Sequence, residues 1–126
     1  MSVSNARFNY VKTMSMTETA QEQNSRAIMI ALEQLERALN DLVSSKNPED
    51  REAPFEIALS RIYLLQKCLN FNEFPELAKN LFRVYEFSRK AVINYCTNNH
   101  NSASLQSAAD CIGMIRESWS EAIVQA

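Results

Sequence analysis

Glycine and proline are scarce in this sequence, which has one glycine and three prolines in 126 residues. Too few turn residues are present to separate many short strands, so the chain is expected to be all-α. A single glycine also excludes the glycine-rich loops that hold nucleotide phosphates. The one histidine, His100, lies in an asparagine-rich stretch with no nucleophile and base arranged around it. We therefore expect a protein that is not an enzyme.

Charge clusters, metal-binding motifs and long apolar runs are also missing. Cys68, Cys96 and Cys111 are odd in number and widely spaced, which is typical of reduced structural thiols. No CxxC or Glu-x-x-His spacing occurs, so we expect no metal and no cofactor. The 13 basic and 15 acidic residues form no basic run, which argues against nucleic acid as a partner. The longest apolar run, 27–32, is far shorter than the ~18 residues that a membrane span requires. The N-terminal residues do not have the pattern of a secretory signal, so we expect a cytoplasmic protein.

What the sequence does contain is apolar residues at three- and four-residue spacing, the pattern of amphipathic helices. The first helix is predicted at about 17–45 and ends before Pro48, because the residue preceding a proline is disfavoured in a helix. The second helix begins either near Ala53 or at Pro48 with Asn47 as its N-cap, in which case Pro54 would kink it.

The third and fourth helices have clearer starts. Asn72 is the predicted N-cap of the third helix and Pro75 falls in its first turn, and the helix runs to about residue 98. A polar turn at 98–102 precedes the fourth. Four helices joined by short loops predict one domain over 1–126, an antiparallel up-down-up-down four-helix bundle.

The first 16 residues carry apolar side chains without regular spacing, among them Phe8, Tyr10 and Val11. We expect a short N-terminal arm at 1–16 that docks on the bundle formed by 17–126. Two interpretations stay open: the arm permanently fills a gap, or it is a removable cover over a binding groove.

Helices two and three carry more apolar residues than one packing seam requires. The surplus comprises Ile57, Leu64, Cys68, Phe71, Phe74, Ala78, Phe82, Phe87 and Ile93. These residues indicate either a thick core with a docked arm or a hydrophobic groove for an amphipathic helix of a partner. The residues alone leave both open.

Two stretches resemble a known family. LNF at 69–71 and ELAKNLFRVYEF at 76–87 are similar to the third helix of the FliS family of flagellin export chaperones, and IRESWSEA at 115–122 resembles that family's closing R-x-x-W-x-E-A. The family usually has a Ser-Pro entry into helix one and a Gly-Gly pair at the corner. Here Ser25 has no following proline and Phe74-Pro75 replaces the glycines, which indicates a divergent member.

The resemblance implies a cytoplasmic chaperone that binds the disordered C-terminal segment of flagellin, prevents its premature polymerisation and aids its delivery to the flagellar export apparatus. The hypothesised flagellin-binding residues are Tyr10, Ile57, Leu64, Phe74, Ala78, Asn80, Phe82 and Ile93. Tyr10 would belong to a displaceable cover, and Asn80 would offer hydrogen bonds to the client backbone. We expect a monomer or weak dimer. The alternative is a non-enzymatic helical regulator or oligomerising assembly protein of flagellar biogenesis that uses the same face for another protein.

Overall fold

The computed structural model describes the backbone of residues 3–99 and 101–125, and the side chains of 23–97 and 101–122. Its helices are α1 (Val3–Ser44), α2 (Glu52–Lys67), α3 (Pro75–Asn94) and α4 (Ala103–Gln125). A 3-10 turn, Pro48–Arg51, precedes α2, and a π-helical turn, Tyr95–Asn99, follows α3. Strands are absent from the described ranges, so the predicted all-α class is confirmed. In the same ranges no helix combines the length and apolar character needed to cross a membrane.

Each helix packs against two others, because α1 and α3 both contact α2 and α4. Contacts farther along α4 lie earlier along α1: Arg116 is bonded to Glu36, whereas the Trp119 indole nitrogen donates a hydrogen bond to the Ser25 carbonyl oxygen at 2.9 Å. Between α1 and α2, the Arg61 Nε donates to Gln34 Oε1. Neighbouring helices therefore run antiparallel, and the predicted four-helix bundle is confirmed.

Helix α1 begins well before its predicted start at residue 17. The segment predicted as an arm is helical from Val3 onward and continuous with α1. No glycine or proline occurs before Pro48, so this stretch contains neither of the residues that most strongly interrupt a helix. How the segment docks, and where the Tyr10 side chain lies, fall outside the described side chains.

The core consists of the apolar stripes that the spacing predicts. Its buried members are Ala31, Leu32, Leu35, Ala38, Leu39, Leu42, Ala58, Ile62, Leu65, Tyr85, Ala91, Val92, Tyr95, Leu105, Ala108, Ala109 and Ile112. Each fully buried leucine or isoleucine contributes roughly 1.5–3 kcal/mol relative to an exposed one. Ser88 is also buried, and its hydroxyl donates to the Val84 carbonyl at 2.9 Å, so its burial leaves no donor unpaired.

Pro54 lies in the first turn of α2, which begins at Glu52. The first N–H groups of a helix have no intrahelical partner, so a proline there loses no hydrogen bond. Of the two predicted starts, the later one is right. The earlier stretch from Pro48 forms the separate 3-10 turn, with Asn47 as the preceding residue.

Asn70 organises the corner between α2 and α3. Its Oδ1 accepts the Glu73 backbone N–H at 2.9 Å, and its Nδ2 donates to Glu73 Oε2 at 3.1 Å. Its backbone carbonyl accepts the Phe74 N–H at 3.0 Å. Pro75 is the first residue of α3, as predicted, but the N-cap is Phe74 rather than Asn72. The prediction of Asn72 was wrong because Asn70 turns the chain earlier, and the proline then makes its preceding residue the cap.

Candidate functional site

An apolar groove with a volume of about 270 Å³ lies where the α2–α3 corner meets α1 and α4. We refer to it as the corner groove. All four helices contribute to it, and its lining residues are Ile28, Leu32, Leu65, Cys68, Leu69, Asn70, Phe74, Leu77, Ala78, Leu81, Tyr85, Ile115 and Trp119.

The side of the groove formed by α3 combines a buried residue with two exposed ones. Phe74, Leu77, Ala78 and Leu81 recur at helical spacing and therefore lie on one side of the helix. Ala78 is buried, whereas Phe74 is 54% and Leu77 56% exposed. Two large apolar side chains are thus half uncovered beside an apolar cavity. A ligand that covers them removes apolar surface from water, which is favourable.

The wall formed by α1 and α4 is held by Trp119. Its indole N–H donates to the Ser25 carbonyl, which fixes the position of the ring against α1. Ile28 lies one turn after Ser25 on α1, and Ile115 lies one turn before Trp119 on α4. Ile28 and Ile115 therefore lie one helical turn from this hydrogen bond, and both line the groove.

Farther along α4, a polar contact joins it to α1. The Arg116 Nε donates to Glu36 Oε1 at 2.5 Å. Gly113 leaves the room for this pair, because a Cβ at that position would lie 2.6 Å from Glu36 Oε2. The Glu36 carboxylate, bonded to Arg116, therefore occupies the space that a side chain at 113 would need.

The groove carries almost no polar character. Four of its described lining residues, Cys68, Asn70, Tyr85 and Trp119, carry a polar side-chain group, and of these the Asn70 amide is occupied by Glu73 and the Trp119 N–H by the Ser25 carbonyl. Burial, with a smaller contribution from the neighbouring Cys68 thiol, raises the pKa of Tyr85 to about 12, so its hydroxyl stays neutral. No cluster of three metal-ligating acidic, cysteine or histidine side chains occurs among the described residues. The groove is suited to apolar side chains and not to an ion.

Two of the eight predicted binding residues, Phe74 and Ala78, line the corner groove. Phe82 is exposed and lies outside it, where its ring packs edge-on against Phe71 with centroids 6.4 Å apart. Phe82 is one turn from Glu86, whose carboxylate accepts a hydrogen bond from Gln66 of α2, so this pair of rings lies on the α2 side of α3.

Ile57 and Leu64 are exposed on a different side of α2. Ile57 is four residues before Arg61 and Leu64 is three residues after it, so all three lie on one side of the helix. Arg61 donates a hydrogen bond to Gln34 of α1. The Ile57 and Leu64 side chains therefore lie on the α1 side of α2, away from Phe82.

Of the remaining three predicted residues, Asn80 is exposed on α3 and does not line the groove, and Ile93 is half-buried near the end of α3. Tyr10 lies outside the described side chains. The structure therefore distributes the seven described residues of this set over several surfaces, and of these seven Phe74 and Ala78 lie in the groove.

Cys68, which also lines the groove, was part of the predicted apolar surplus, whereas most of the other groove residues belong to stripes predicted to form the core. Leu77 and Leu81 continue the same stripe as the buried Tyr85, and Ile115 and Trp119 continue the seam of α4. Periodicity identifies the face of a helix but does not tell where along that face a neighbouring helix ends. Only the relative positions of the helix ends could have separated these residues from the core.

The chain matches the protein-family model described as "Flagellar protein FliS" over residues 3–126. No curated protein and no solved structure gives a significant match. The family match includes all four helices and every residue that lines the corner groove, and it agrees with the resemblance carried by 69–71, 76–87 and 115–122.

Proposed function

Since the chain belongs to the FliS family, whose members are cytoplasmic, non-enzymatic export chaperones of flagellin, we propose that the corner groove binds the C-terminal segment of flagellin. The observation that carries the proposal is the apolar cavity of about 270 Å³ beside the half-exposed side chains of Phe74 and Leu77. Exposed apolar surface of this kind marks binding sites for apolar partners.

The polarity of the groove favours a helical client. Asn70 is already bonded to Glu73, so the lining offers almost no hydrogen-bond partner to an extended backbone. An extended segment would leave its N–H and C=O groups unpaired, whereas a helix pairs them internally. A disordered flagellin segment would therefore fold into an amphipathic helix as it binds, with its apolar stripe in the groove.

Binding of this kind accounts for the protective role of a chaperone. The apolar stripe that the groove covers is unavailable for contacts between flagellin molecules, which prevents premature polymerisation until the complex reaches the flagellar export apparatus. The helical client would still have to be released there.

The exposed apolar side chains outside the groove extend the proposal. A client segment longer than the groove would next meet the Phe71 and Phe82 rings on one side or Ile57 and Leu64 on the other. Asn80 and Ile93 would take part along α3, and Tyr10 would belong to a cover that the client displaces.

Titration calorimetry against a peptide of the flagellin C-terminal segment tests the proposal. We expect saturable binding and a gain of helix by circular dichroism, because the groove selects the helical form. A peptide of the same composition in scrambled order is the control and should not bind. A flat titration with the native peptide would contradict the proposal, and a stable dimer in solution whose interface covers these residues would favour the regulator instead.

A further inference from the structure

Among the side chains that the structure describes, Tyr85 is the one tyrosine that lines the corner groove, and it is 3% exposed. It lies on α3, one turn after Leu81 and two turns after Leu77. Its ring packs in the core, so its hydroxyl oxygen is a polar atom at the end of a buried side chain in apolar surroundings.

The Tyr85 hydroxyl forms no hydrogen bond with any residue that the structure describes. Tyr95 differs from Tyr85, because it takes part in a hydrogen bond or an electrostatic interaction. Each completely buried side-chain nitrogen or oxygen of the described residues has a hydrogen-bond partner, so the unbonded Tyr85 hydroxyl keeps some accessible surface, and Tyr85 is among the residues that line the groove. Buried tyrosine hydroxyls normally find a partner, because leaving one unpaired costs about 1–3 kcal/mol. A ligand that fills the groove would cover this hydroxyl and would have to offer it a partner to avoid that cost.

We infer, on the basis of the proposed function, that Tyr85 determines client specificity by donating a hydrogen bond to the side-chain carbonyl of one asparagine or glutamine on the apolar face of the bound helix. The backbone carbonyls of a helix are already engaged, so the acceptor is a side chain. A carboxylate is disfavoured, because an unpaired charge in an apolar groove costs far more than a neutral amide.

The protonation state agrees with this role. Burial and the Cys68 thiol raise the pKa of Tyr85 to about 12, so the hydroxyl keeps its proton at physiological pH and can donate it. A client with an apolar residue at the facing position would leave the hydroxyl dry and unpaired. We expect such a client to bind about tenfold more weakly, which is the worth of one good neutral hydrogen bond.

A double-mutant cycle tests the inference. Tyr85→Phe removes only the hydroxyl, and Tyr63→Phe is the matched control because Tyr63 is 63% exposed and does not line the groove. The ligands are the flagellin C-terminal peptide and variants in which each glutamine becomes methionine, or each asparagine leucine, one at a time. Calorimetry measures each affinity, and circular dichroism checks that both protein variants fold.

We expect one peptide variant to bind wild type about tenfold more weakly than the native peptide does, and to lose that difference with Tyr85→Phe. Tyr63→Phe should behave as wild type with every peptide. If Tyr85→Phe binds all peptides as wild type does, the inference is overturned while the groove proposal stands. If wild type does not bind the native peptide, both are overturned.

Discussion

Shortening the two half-exposed side chains of the corner groove should weaken client binding by an amount that their exposure sets. Burying a leucine or phenylalanine completely is worth roughly 2 kcal/mol. Leu77 is 56% and Phe74 54% exposed, so a client that covers either one gains about 1 kcal/mol from it. Leu77→Ala and Phe74→Ala should therefore each raise the Kd about fivefold. The double variant should raise it by about 25-fold if the effects add.

Calorimetry with the flagellin C-terminal peptide measures these changes, and Met114→Ala is the matched control. Met114 is 68% exposed on α4 and does not line the corner groove, so its truncation removes apolar surface of comparable size elsewhere. We expect Met114→Ala to bind as wild type. Thermal melting should show that all three variants remain folded, since each side chain is at least half solvated already.

An equal loss of affinity in Met114→Ala would refute the reasoning, because apolar surface in general, and not the groove, would then determine binding. The same holds if Leu77→Ala and Phe74→Ala leave the Kd unchanged while the peptide still binds. In that case the client would lie on another surface, such as the one around Phe71 and Phe82.

Three further predictions concern single residues of the bundle. Trp119, the only tryptophan of the sequence, lines the groove, so client binding should shift its fluorescence to shorter wavelength. An unchanged spectrum at saturation would contradict the placement of the client in the groove. Folding raises the pKa of Tyr85 from 10.0 to about 12, so this residue stabilises the fold below pH 10 and the contribution is lost as the pH rises toward 12. Tyr85→Phe should flatten that part of the alkaline unfolding curve, and an identical slope would oppose it. Gly113→Ala should stabilise α4 by about 1 kcal/mol through its higher helix propensity, but the new Cβ must displace the Glu36 carboxylate. The substitution should therefore raise the melting temperature more in a Glu36→Ala background than in wild type. Equal increases in both backgrounds would mean that Glu36 moves aside without cost.

Most of the fold could be predicted from the sequence because helical periodicity and proline positions are local properties. The buried stripe of α1 and the start of α3 at Pro75 both follow from residue spacing. The start of α1 could not be placed, because no proline or glycine marks it and the apolar residues before position 17 have no regular period. The N-cap at Phe74 was missed because the cap follows from the Asn70 hydrogen bonds, which form only once the corner has folded.

The candidate site was harder to predict than the fold. The apolar surplus can be read from the residues of each helix, whereas the groove depends on how the helices pack against one another. Four of the residues that the core was not expected to need are exposed in the structure: Ile57, Leu64, Phe74 and Phe82. Their distribution over three sides of the bundle depends on which neighbour each helix face meets. The bonds of Arg61 to Gln34 and of Gln66 to Glu86 reveal those neighbours, and no spacing rule supplies them.

The corner groove itself follows from a mismatch between two antiparallel helices. Gln66 is the second-to-last residue of α2, and its amide donates a hydrogen bond to Glu86 of α3. These two residues therefore lie at the same height along the bundle axis. Because α3 begins at Pro75, its first 11 residues extend about 16 Å past that level. There α2 has ended, and the corner from Cys68 to Phe74 follows it in the chain. The apolar stripe of α3 continues into this stretch as Leu77 and Leu81, and both residues line the cavity. A client helix that binds here takes the place that one more turn or two of α2 would have filled.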